Sequence, residues 1–231
     1  MSNRQLLLDL PPREGMGRED FLPAPSNQPG LQALEAWRHW PGALMLIIGP
    51  AGSGRTHLAQ IWTSETGGVV LPATALDADT LPRTDALPSL AIDDAETVAG
   101  TPEAEEALFH LINRARNGGT ALMITARDHP GTWGIALPDL ASRLQAAPTT
   151  ALQAPGEDLI AMVLVKLCDD RQLAVTEPAL HYLATRLDRS LALARDVVDA
   201  MDRIAVTENR PVTRQLATEV LQALAPRDEA P

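Results

Sequence analysis

Residues 43–50, ALMLIIGP, form an unbroken apolar run closed by Gly-Pro, the pattern of a strand buried on both faces. SLAIDD (89–94) and ALMIT (121–125) repeat it, and TTALQA (149–154) reads as a last strand. Helical periodicity separates them. LQALEAWRHW (31–40) is a short amphipathic helix, THLAQIWTSE (56–65) follows the first strand, and LPDLASRL (137–144) precedes the last. A longer helix starts at Thr101-Pro102, with threonine as N-cap and proline at the first helical position, and stops at Asn117-Gly118-Gly119. This half is α/β. From Gly156 the pattern changes, and 156–173, 177–187, 189–206 and 213–224 are all helical with short polar joints. In the third of these, Leu191, Ala194, Val197, Val198, Met201 and Ala205 make an i, i+3, i+4 stripe. Residues 1–30, rich in Pro, Gly and charge, predict an extended arm. The expected organisation is therefore an arm over 1–30, an α/β domain over 31–154 and a helical domain over 155–231.

Composition narrows the function classes. An apolar content of 45% with only 3% aromatic residues implies a core of Leu, Ala, Val and Ile. Thirty acidic against 19 basic side chains give a net charge of -11, which argues against direct sequence-specific DNA binding, because counterion release needs a dense positive surface. Cys168 is the only cysteine, so no internal disulfide forms, and its aliphatic surroundings predict a small buried hydrophobe. MSNRQLLLDLPP is too short an apolar run for a signal peptide or a membrane span, so a cytoplasmic protein with no membrane role is expected.

The chemistry lies between the first strand and its helix. GPAGSGRTH (49–57) has the G-x-x-x-x-G-K-[ST] spacing of a phosphate-binding loop, with Arg55 in place of the lysine. Gly49, Gly52 and Gly54 let backbone N–H groups turn inward on phosphates, with Ser53 in the same loop, the helix N-terminus adds partial positive charge, and Thr56 supplies a hydroxyl for Mg2+. Arg55 keeps the charge but carries it in a wide planar fork, suited to a diphosphate and crowding the place of a γ-phosphate. About forty residues on, a second motif follows in the order that P-loop proteins use. There Leu90-Ala91-Ile92 runs into Asp93 and Asp94, the first a magnesium ligand through water and the second able to polarise an attacking water. The histidines have no metal-ligand spacing, and His57 reads as a packed side chain rather than a catalyst.

These residues resemble the DnaA-related AAA+ proteins, and within that family the branch of regulatory inactivators of the replication initiator, over residues 4 to 223. The resemblance implies an AAA+ P-loop parallel sheet flanked by helices and followed by a small all-helical lid. Phe21-Leu22 followed by Ser26-Asn27 is similar to the family's N-terminal box, which packs around the adenine. Phe21, Leu22 and Asn27 would thus join Gly49, Gly52, Ser53, Gly54, Arg55, Thr56 and His57 at the nucleotide. Asp93-Asp94 looks like the family's Walker B acids, LPDLASRL resembles the arginine-finger segment and makes Arg143 the finger, and Asp188-Arg189-Ser190-Leu191 looks like the start of the sensor 2 helix, with Arg189 sensing phosphate. Gln5-Leu6-Leu7-Leu8-Asp9-Leu10 resembles the Gln-x-x-Leu-x-Leu peptide that docks on the DNA sliding clamp, with Leu8 and Leu10 in an apolar groove and the Gln5 amide at its edge. Two departures stand out. The sensor 1 strand ends Thr125-Ala126-Arg127-Asp128 where the family has Thr-x-Asp-Arg, leaving the polar sensor at Thr125, at Asp128, or lost; and QAAPTT after Arg143 lacks the expected aromatics.

The function expected from the resemblance is a clamp-dependent regulator that holds ADP (or ATP) with Mg2+ and offers Arg143 in trans to ATP bound on DnaA. Its intrinsic hydrolysis would be weak at most. An autonomous DnaC-like ATPase or helicase loader, and a nucleotide-free AAA+ interaction module, are the alternatives. Oligomeric state is open, a homodimer included.

Overall fold

The computed structural model describes residues 16–187, 189–208 and 210–224. Its strands are β1 (Leu44–Ile48), β2 (Val69–Pro72), β3 (Ser89–Asp93), β4 (Ala121–Ala126) and β5 (Thr149–Ala151). All pair in parallel, in the order β2-β3-β4-β1-β5. Among the described residues, this half carries helices α1 (Gln28–Glu35), α2 (Arg55–Thr66), α3 (Thr80–Thr84), α4 (Pro102–Arg116) and α5 (Pro138–Gln145). Four more follow: α6 (Glu157–Asp170), α7 (Glu177–Arg186), α8 (Leu191–Glu208) and α9 (Arg214–Leu224).

The unbroken apolar runs are explained by helices on both faces of the sheet. Leu44, Leu46, Leu90, Ile92, Leu122 and Ile124 face a core shared with α4 and α5. The alternate residues Met45, Ile47, Ala91 and Met123 face a second core shared with α1 and α2. Side chains alternate across a strand, so one run supplies both layers. A third core unites α6 to α9, and the predicted stripe on α8 lines it: Ala194, Val197, Val198 and Met201 are buried, with Leu191 and Ala205 packed against them. Cys168 lies in that core, and burial pushes its thiol up to about 11, as suits an inert packing residue.

Four elements differ from the sequence expectation, one of them the five-residue helix α3, absent from the expected elements. VVLP (69–72) is an edge strand that periodicity missed; four residues long, ending in proline and with Val69 38% exposed, it has neither a buried run nor a clean alternation. Helix α1 starts at Gln28, with Pro29 in its first turn, and ends at Glu35 rather than near residue 40. Residues Trp37–His39 form a 3-10 turn instead, because Trp37 and Trp40 both pack on buried Trp62, at ring-centroid distances of 6.2 and 5.0 Å. The last strand is confined to Thr149–Ala151. Among the described residues no helix is long and apolar enough to cross a membrane.

Candidate functional site

The strand order decides which residues meet. β4 lies between β1 and β3, so the loop leaving β1 and the acids ending β3 flank the end of β4. The loop turns through left-handed backbone at Gly52 (φ 71°) and Gly54 (φ 97°), conformations that favour glycine, and Gly54 is the N-cap of α2. The Gly49 N–H donates to the Ala126 carbonyl at 3.1 Å, tying the loop to β4. Thr56 Oγ1–H donates to Asp93 Oδ2 at 2.8 Å. Thr125 Oγ1–H donates to the other Asp93 oxygen, and the same hydroxyl accepts the Asp94 N–H at 3.1 Å. Thr125, fully buried at the end of β4, thus bonds the Asp93 carboxylate and the Asp94 backbone. Asp128 is exposed, and its carbonyl accepts the Trp133 indole N–H at 2.9 Å.

Arg55 is 7% exposed, and its Nη2–H donates to Asp94 Oδ1 at 3.0 Å. Its other terminal nitrogen, Nη1, is buried with no hydrogen-bond partner, and so is Ser53 Oγ in a side chain 2% exposed. Buried polar atoms are normally satisfied, so two orphans in one glycine-rich turn at a helix N-terminus fit an anion. The Thr56 hydroxyl and Asp93 carboxylate, side by side, are hard oxygen donors of the kind Mg2+ takes together with phosphate and water. Among the described residues no cluster of three or more His, Cys, Asp or Glu forms an alternative metal site.

The arm crosses the start of α2. The buried His57 donates Nε2–H to the Gly17 carbonyl at 2.9 Å, and Phe21 meets its ring edge-on at 5.3 Å. Burial holds His57 below its ordinary value, and the Arg195 charge acts the same way against the Gly17 carbonyl; the ring is neutral at pH 7. Asn27 accepts the Ala24 N–H at 2.8 Å and donates to the Leu22 carbonyl at 3.0 Å, so both ends of its amide shape the arm. From the lid, Lys166 on α6 reaches Asp20 at 2.6 Å and Asp170 at 2.7 Å. The Leu191 N–H that opens α8 donates to the Gly52 carbonyl at 3.1 Å. Arg189 is exposed one residue before Ser190, which packs against Gly52. Phe21, His57, Leu159, Val163 and Leu191 enclose a cavity of about 30 Å³ between arm and lid. That is room for a water or two. A base entering it requires Phe21 or the lid helices to move.

Arg143 stands elsewhere. Helix α5 packs in the core with α4, on the sheet face opposite α2, and the half-buried Arg143 guanidinium lies over the Phe109 ring at 5.1 Å. Its helix is fixed by a residue that sequence reasoning missed. Glu105, 2% exposed, accepts N–H bonds from Gly100 (3.1 Å), Ala136 (3.1 Å) and Leu137 (2.8 Å) at the entrance to α5. Burial alone would raise its pKa, but these donors outweigh it and hold the carboxyl below its ordinary 4.5. In sequence it is one more acid in the first turn of a helix, the usual mark of a solvated face. Thr101, at the expected N-cap, makes no side-chain cap bond.

A consequence is testable. Because the folded-state pKa of Glu105 is depressed, its contribution is complete above the unfolded value and lost as pH falls through the folded one. Glu105→Gln is expected to cost about 2 kcal/mol at pH 7, the scale of bonds to a buried charge. Its thermal melts should also be less acid-sensitive than the wild type's below about pH 4.5. Parallel acid dependences would show that Glu105 carries no such load.

No family model matches the chain. An uncharacterized protein of Haemophilus influenzae is 27% identical over 184 residues, covering 76% of this chain and 80% of that one. Among solved structures, domain III of the Thermotoga maritima replication initiation protein DnaA is similar with a TM-score of 0.79 at 20% identity, covering 93% of this chain and 98% of that one. AMPPCP-bound DnaA from Aquifex aeolicus gives 0.69 at 14% identity, over 92% and 69% of the two chains. The Thermotoga maritima RuvB Holliday junction branch migration motor gives 0.69 at 18% identity, over 93% and 74%. The fold is thus the AAA+ α/β domain with its C-terminal helices, as expected from the resemblance. Likeness at this identity fixes the fold and leaves function to the site.

Proposed function

We propose that this chain is a nucleotide-holding regulator of replication initiation, of the Hda type, that acts on ATP bound to DnaA. The observation that carries the reading is the separation of two arginines. Arg55 is buried in the phosphate loop and already paired with Asp94, whereas Arg143 stands on the opposite sheet face over Phe109. The first suits retention of ADP; the second suits action on another molecule's nucleotide.

In this reading Mg-ADP sits on the Gly49–Thr56 turn, its metal held through Thr56 and Asp93. Phe21 and Leu22 border the base, His57 and Asn27 hold the arm in shape, and Arg189 closes on the phosphates from the lid. AMPPCP bound to the DnaA neighbours supports a nucleotide on this fold. Asp94 is engaged with Arg55 rather than free to polarise water, which supports weak intrinsic turnover. Arg143, offered in trans, stabilises charge developing on the transferred phosphoryl group. Residues Gln5, Leu8 and Leu10 lie outside the described residues; in this account they dock the chain on the sliding clamp, bringing it to newly replicated DNA.

The reading is tested by adding the purified chain to ATP-loaded DnaA with and without clamp loaded on DNA. Hydrolysis of the DnaA-bound ATP is expected only with both present, and no stimulation under either condition overturns the proposal. Gln5→Ala with Leu8→Ala should abolish capture by immobilised clamp while leaving ADP affinity unchanged. Undiminished capture by that double variant removes the clamp from the account.

A further inference from the structure

We infer that Asp94 is a specificity-determining residue of the phosphate loop: as the fixed counter-ion of Arg55, it biases the site toward a nucleoside diphosphate and against a triphosphate. The inference rests on the nucleotide-site reading above and adds the group that sets the preference. Asp93 and Asp94 are adjacent but do different work. Asp93 is engaged by Thr56 and Thr125, while Asp94 leaves the strand in left-handed backbone (φ 52°, ψ 51°) with its N–H on Thr125 Oγ1 and its carboxylate on Arg55. A non-glycine residue keeps such a conformation only where its surroundings over-determine it. Here Thr125 and Arg55 do so.

The arginine fork explains the selectivity. A lysine ammonium is a compact charge that can turn from one phosphate to the next. Arg55 keeps Nη2 on Asp94 and has Nη1, buried and unpartnered, left to donate. One phosphate oxygen satisfies that donor. A further phosphate adds negative charge beside the Asp94 carboxylate, which is 45% exposed at the edge of the loop. Like charges at a protein surface repel strongly enough to shift binding about tenfold. The arrangement therefore accepts a diphosphate and penalises the third phosphate.

Calorimetric titration of the full chain with Mg-ADP and with Mg-AMPPCP separates the terms, using wild type, Asp94→Asn, Arg55→Lys and the double variant, each first shown to melt cooperatively without nucleotide. Wild type should bind ADP about tenfold or more tighter than AMPPCP, and Asp94→Asn should close most of that gap by gaining affinity for AMPPCP. Arg55→Lys should close it too, and the double variant should go no further, because both act through one pair. A wild type that binds neither nucleotide overturns the site reading itself. A wild type that prefers ADP, with Asp94→Asn shifting both affinities equally, overturns only this inference. If Asp94→Asn does not fold, Arg55→Lys with an unchanged preference does the same.

Discussion

Gly52→Ala is expected to lower Mg-ADP affinity at least about a hundredfold, the loss of two charge-assisted backbone bonds to phosphate. Two separate costs meet at this residue. Its φ of 71° lies in the left-handed region, and a Cβ there would overlap Ser190, approaching the Ser190 hydroxyl and lying 2.7 Å from its Cα. Rotating the serine side chain relieves only the first contact, since the second is backbone. The start of α8 must shift, and with it the Leu191 N–H bond to the Gly52 carbonyl. Strain and overpacking together amount to about 3 kcal/mol. In a chain of this size that is a fall of roughly 6–12 °C in melting temperature. Gly118→Ala is the control: its φ of 81° is equally left-handed, but nothing lies within 4 Å of the added carbon, so only the cost of about 1 kcal/mol for that conformation remains. Equal melting shifts for the two variants would mean that the loop and the lid are not in register as described.

Arg143→Ala is expected to reduce hydrolysis of DnaA-bound ATP by at least about a hundredfold, a conservative figure beside the ~10³–10⁵ that trans arginine fingers supply in small GTPases. The side chain is half-buried and makes a ring contact with Phe109, so its removal should leave the fold within about 1 kcal/mol of wild type, and its own ADP affinity unchanged. Arg143→Lys keeps the charge but not the planar fork, and should recover little. Full stimulation by Arg143→Ala would remove the residue from the mechanism. Glu105→Gln belongs to the same chain of cause: loosening the entrance to α5 should weaken stimulation without touching nucleotide binding.

The parts of this molecule that were legible are those whose signal is local. β1, β3 and β4 are continuous apolar runs because two helical layers cover them, and the loop is readable because the spacing of Gly49, Gly52, Gly54 and Thr56 is itself the geometry. What sequence could not show is pairing across the fold. Arg55 and Asp94 are 39 residues apart and Lys166 and Asp20 are 146 apart, joined only by strand order and by the lid's return onto the arm. Sequence alone leaves the polar sensor at Thr125, at Asp128, or lost, whereas β4 sets Thr125 against Asp93; and Asn27, expected at the base, has its amide occupied within the arm. Glu105 gave no signal because burial of an acid is a tertiary fact. β2 was illegible because an edge strand of four residues has too little pattern to separate it from a loop.

The central claim is that this chain holds one nucleotide and acts on another. It is tested most directly by placing γ-phosphate-labelled ATP on only one of the two proteins before mixing them with DNA-loaded clamp, and following label release. Release is expected when the label starts on DnaA, and to be lost with Arg143→Ala. Release that occurs instead when the label starts on this chain, and that persists without DnaA, would make it an autonomous ATPase and contradict the account.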